Sequence, residues 1–99
     1  MKYIIKESKI DMLMTDFMNS WVSSRKVVKF DRFIVLDDPN GEEENEVDME
    51  YDGEDGRLWF RKEIRQTLMD LFGKNQIDTM VFIGKFFENK FGVEVKKVE

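Results

Sequence analysis

The chain has 99 residues, 41% of them apolar and thirteen aromatic (nine Phe, two Trp, two Tyr), with a formal net charge of −5. That length suits one domain around one core, and the composition is far from that of a disordered chain. Without a single cysteine or histidine, disulfides, thiol catalysis, Cys-ligated metals and the standard serine-triad and zinc-hydrolase chemistries are excluded.

The opening Met1-Lys2-Tyr3-Ile4-Ile5-Lys6-Glu7 lacks the long apolar region of a signal peptide. No stretch approaches the roughly eighteen apolar residues of a membrane span. With no cysteine to oxidise, a cytoplasmic setting away from membranes is the expectation.

Residues 4–24 read as an amphipathic helix. Ile10, Leu13, Met14, Phe17, Met18 and Trp21 recur at three- and four-residue steps on one stripe. Ser8 and Asp11 form an S-x-x-D variant of the capping box, so the helix can begin there, with residues 3–5 as an extended lead-in. Residues 27–36 are rich in β-branched and aromatic side chains and read as one strand, apolar on both faces and therefore central. Asp38-Pro39-Asn40-Gly41 is a turn.

Residues 46–52 alternate strictly, with Val47, Met49 and Tyr51 inward and Glu46, Asp48, Glu50 and Asp52 outward. Gly53 to Gly56 makes the next turn and residues 57–60 a third strand, completing an antiparallel meander. Ile64, Leu68, Leu71 and Phe72 mark a helix over 61–72, with Gly73 as its C-cap. A second helix over 76–91 carries Ile77, Met80, Val81, Phe87 and Phe91, and Phe82, Ile83 and Phe86 make it apolar nearly all round. Gly92 caps it, and residues 93–96 read as a last strand joining the sheet. The fold class is α+β: an N-terminal helix, a three-stranded antiparallel meander, two helices and a C-terminal strand, in one domain spanning 1–99. Trp21 and Trp59 are expected in the core.

Charge is unevenly distributed. Residues 37–55 hold eleven of the twenty-one acids and none of the sixteen bases, which leaves ten acids against sixteen bases, or +6, elsewhere. A solvated hairpin guarded by its charges accounts for this simply. The sharper reading is a docking surface of Glu42, Glu43, Glu44, Glu46, Asp48, Glu50, Asp52, Glu54 and Asp55 for a basic protein. Carboxylates at every second strand position repeat at roughly 6.7 Å, twice the rise per residue, and such a row imitates a phosphate backbone.

A third reading is a metal site. Asp48, Glu50, Asp52 and Gly53 match the first half of an EF-hand loop, but Trp59 stands where the bidentate Glu belongs, so no metal or cofactor is assigned. What remains is at most a weak Ca²⁺ or Mg²⁺ contact.

Arg57, Arg61, Lys62 and Arg65 form a basic cluster, read either as a solvated helix face paired with the acidic segment or as a nucleic-acid-binding patch. The apolar width of the 76–91 helix argues against its use as an exposed recognition helix. That helix is either sandwiched between the sheet and the first helix or, through Phe82 to Phe87, a self-association surface of an assembly subunit. No environment desolvates one member of any carboxylate pair, and no phosphate loop is present, so no enzyme activity is expected.

Residues Met1-Lys2-Tyr3-Ile4-Ile5-Lys6-Glu7-Ser8 and Phe86-Phe87-Glu88-Asn89-Lys90-Phe91-Gly92-Val93-Glu94-Val95-Lys96 resemble the ends of small uncharacterised proteins of tailed phages. The resemblance carries no chemical motif and no site residues. It implies a viral origin and with it a host-directed binding protein acting in the host cytoplasm.

Overall fold

The computed structural model describes residues 7–37 and 47–99. The lead-in at 3–5, the turn at 38–41, Glu42, Glu43, Glu44 and Glu46 lie outside the described residues, as does the Ser8 side chain.

The first helix, α1 (Glu7–Ser23), buries Met14, Met18 and Val22, one residue per turn on one face. The next apolar run folds as two strands instead of the single one expected: β1 (Lys26–Phe30) and β2 (Phe33–Asp37), antiparallel, with Phe30 opposite Phe33. The break falls at Asp31, whose φ of 51° is left-handed. Aspartate is among the few side chains that tolerate that region, so the chain reverses there without a glycine.

Strands β3 (Val47–Asp52) and β4 (Arg57–Phe60) continue the meander, so it has four strands. Helices α2 (Lys62–Phe72) and α3 (Gln76–Phe91) follow, each closed by a left-handed glycine, Gly73 and Gly92, at the places the sequence marks. The Asn75 side chain accepts the Asp78 N–H at 2.8 Å and starts α3.

The last strand, β5, is only Lys97–Val98, later than the expected 93–96, and it runs parallel to β4. The helical crossover between β4 and β5 permits that parallel pairing. The residues expected as strand are committed elsewhere: Val95 N–H donates to the Glu88 carboxylate at 3.0 Å, and the Glu94 carbonyl accepts the Tyr51 hydroxyl at 2.7 Å.

The sheet order is β1-β2-β3-β4-β5. Register places Ile34, Leu36, Met49, Tyr51, Leu58 and Phe60 on one face, and all six are buried with Ile64, Leu68, Ile83 and Phe87 of the helices. Helix α3 crosses this face. Gly84 passes so close to β5 that a Cβ there would lie 3.0 Å from Val98. Further along, Phe87 packs on Tyr51 at 5.3 Å between ring centroids, and Phe91 lies beneath the Lys29 ammonium. Ile83, Phe86 and Phe87 are therefore core residues. Helix α3 touches α1, α2 and β5, which removes these three side chains from any self-association surface, whereas Ile77 and Val81, expected on the buried stripe, stay exposed.

Candidate sheet-face docking surface

With one sheet face under helices, the ladder places the alternate residues on the other. Phe30, Phe33, Asp52, Arg57 and Lys97 form one cross-strand row, and Val28, Val35, Glu50 and Trp59 the next. Phe30 is 52% exposed and Trp59 40%, and the Phe30 and Phe33 rings lie 5.5 Å apart. Trp59 is thus a surface residue on β4, contrary to expectation, because the alternation that buries Leu58 and Phe60 turns it outward. A trough of about 640 Å³ runs over this face, lined among others by Phe33, Glu50, Asp52, Arg57, Trp59 and Arg61.

The acidic segment does not present one uniform row. Between Leu36 opposite Met49 and Asp37 opposite Val47 the register slips by one residue, and this bulge turns Asp48 away from the outward set. The Asp48 side chain is 12% exposed and lies 3.1 Å from Arg25 Nε and 3.0 Å from Arg61 Nε. Arg61 Nε also donates to the Val47 carbonyl at 3.2 Å. Asp48 therefore clamps the end of α1 to the start of α2.

Asp52 accepts from Arg32 Nε at 3.0 Å, and Glu54 lies 3.1 Å from the same guanidinium. Asp55 accepts two bonds from the Arg57 guanidinium, at 2.7 and 3.2 Å, and one from the Arg57 backbone N–H at 3.3 Å. The Arg57 hydrogen bond holds the Asp55 carboxyl below the usual carboxylate range, and the Asp55 partner raises Arg57 in turn. Glu50 is exposed directly opposite Trp59.

The basic cluster is divided in the same way. Arg57 lies on β4, and Arg61 is the extended N-cap residue of α2 with its guanidinium turned to Asp48. Lys62 is exposed and Arg65 half-buried on α2. The structure thus brings Arg57 and Arg61 to the trough and leaves Lys62 and Arg65 on the helix. Among the described residues no group of three or more carboxylates converges as metal ligands do. Asp48, Glu50 and Asp52 lie along an extended strand instead of a chelating loop.

Phe30 and Phe33 are the surface residues that sequence reasoning did not single out as a site. Both belong to a run that looks buried on either side when read as one strand, and only the hairpin exposes them. Among the described residues no helix is long and apolar enough to cross a membrane. Comparisons with protein-family models, curated proteins and solved structures give no match to this chain.

Proposed function

We propose that the protein is a non-enzymatic binding module that holds a basic protein segment against the outer face of its sheet. The observation that carries this reading is the Glu50–Trp59 pair. A carboxylate and a half-exposed indole stand opposite each other on the sheet face away from the described helices. A guanidinium laid over the indole would gain a cation–π contact of about 0.5–2 kcal/mol and reach Glu50 as well. Phe30 and Phe33 extend the apolar floor beside it, and the −11 segment that contains β3 supplies the attracting field. The resemblance of the two ends to small tailed-phage proteins would favour a host protein as that partner, and the acidic segment a basic one.

Nucleic acid is the weaker reading for this face. Glu50, Asp52 and Glu99 oppose two guanidiniums in the trough, and both guanidiniums already have carboxylate partners. A phosphate chain would meet net repulsion there.

The test is a titration of labelled oligo-arginine, followed by anisotropy, against the wild type and the Glu50→Lys and Trp59→Ala variants. Both positions are exposed, so circular dichroism should show the fold retained. Each change is expected to weaken binding about tenfold, or about 1.4 kcal/mol, and added salt to weaken it further. Undiminished binding by Glu50→Lys would overturn the proposal, and a band shift with oligonucleotide instead would favour Arg57 and Arg61.

A further inference from the structure

Strand β1 ends the sheet: β2 pairs with one of its edges, and the order places no described strand along the other. The ladder's parity shows which backbone groups point out of that open edge. Gly53 N–H donates to the Arg32 carbonyl at 2.9 Å and Arg61 N–H to the Asp48 carbonyl at 3.0 Å. Even-numbered residues of β2 therefore bond to β3, and odd-numbered ones to β1. With Phe30 opposite Phe33 and Val28 opposite Val35, β1 uses its even residues toward β2. The N–H and C=O groups of Val27 and Lys29 are left facing outward. The same strand exposes Val27 at 38% and Phe30 at 52%.

We infer that a second copy of this chain pairs antiparallel with β1 about a two-fold axis at Val28, continuing the sheet from one copy into the other. In that register Val27 and Lys29 of one copy exchange hydrogen bonds with Lys29 and Val27 of the other. Lys26 stands opposite Phe30, and Val28 opposite Val28. Every lysine faces an apolar side chain, and the Lys26–Phe30 contact is of the cation–π kind.

Neighbouring registers are worse. An axis at Lys29 sets two ammoniums directly opposite, which destabilises a pair. An axis at Val27 leaves Phe30 without a partner and sets Lys29 against Arg25. Edge lysines commonly block such pairing, but here their spacing, one on each side of the Val28 axis, makes the strand self-complementary. Five residues per copy bury less than the roughly 1,000 Å² of a stable interface, so the dimer is weak and concentration-dependent. It shares Phe30 and the Val28 row with the outer sheet face, but Glu50 and Trp59 lie at least two strands away from β1, so their variants and those at Val28 test the two proposals separately.

The chain contains no cysteine, so single-cysteine variants report the register directly. At the axis the pair is not hydrogen-bonded, with Cα atoms about 4.5 Å apart, inside the disulfide range of roughly 4.4–6.8 Å. Under mild oxidation Val28→Cys is expected to crosslink, faster at higher concentration. Val27→Cys and Lys29→Cys, each offset from its own copy, should react at least about tenfold slower. Equal rates for all three, or no crosslink for Val28→Cys, would overturn the inference.

Sedimentation of the wild type from about 10 μM to about 1 mM should show rising mass. Val28→Lys, which sets two ammoniums against each other at the axis, should stay monomeric. A wild type that remains monomeric throughout also overturns the inference.

Discussion

At the residue scale, the Asp48 carboxylate joins Arg25 and Arg61, and so two helix ends, to the sheet. Removing it would leave two guanidiniums beside each other with their shared anion gone. Asp48→Ala is expected to cost about 3 kcal/mol, the low end for stripping one partner from a buried pair. The low end applies because the Arg25 and Arg61 side chains are 22% and 38% exposed and water can solvate them in part. Asp48→Asn keeps a hydrogen-bond acceptor and should cost less, with urea midpoints ordering the three proteins. A loss below about 1 kcal/mol for the alanine variant would show that the clamp is solvated and weak. Nothing in the local pattern of residues 46–52 distinguishes Asp48 from Glu50. Only the bulge beside Asp37 sends one inward and leaves the other on the surface.

At the scale of elements, the helices were the most legible part of the chain. Apolar periodicity and the glycines Gly73 and Gly92 place α2 and α3 to within about one residue of where they stand. The β1–β2 hairpin was hidden because an aspartate, not a glycine, occupies its left-handed position. The expected consequence is that Asp31→Gly is tolerated to within about 0.5 kcal/mol, since glycine adopts that φ readily. Asp31→Val should cost about 1–2 kcal/mol, because a β-branched side chain is strained there. Thermal unfolding of the two variants checks this, and equal melting temperatures would mean that the turn carries no strain. Strand β5 was misplaced for a different reason. Its hydrogen bonds are to the Gly56 and Leu58 carbonyls, distant in sequence, and local propensity favours the Val93–Val95 alternation instead.

At the scale of the whole molecule, Tyr51 marks where sheet, α3 and the C-terminal segment meet. It is buried, packs on Phe87 and donates its hydroxyl to the Glu94 carbonyl. Burial raises its ionisation above the ordinary tyrosine value of about 10, and the Glu94 carboxylate adds to the shift. A group raised in the folded state contributes stability that is fully present below the unfolded value and is lost as pH climbs through the folded one. Stability should therefore fall above about pH 10. Tyr51→Phe should be less stable at neutral pH by about 1 kcal/mol, the worth of one hydrogen bond, and should show a flatter alkaline limb. Urea titrations at neutral and alkaline pH decide it, and an unchanged alkaline slope in the variant would remove Tyr51 from the linkage.

The sequence alone determined the α+β class, the three helices with the glycine C-caps of α2 and α3, the inward alternation of Met49 and Tyr51, and the charge asymmetry. All of these rest on contacts or propensities within a few residues. Tertiary structure alone decided which acids are neutralised by Arg25, Arg32, Arg57 and Arg61, which aromatics face solvent, and which apolar side chains of α3 are buried. Those outcomes depend on register, on one bulge and on a helix crossing the sheet. Each of these is fixed by partners many residues away, and no window of local sequence contains them.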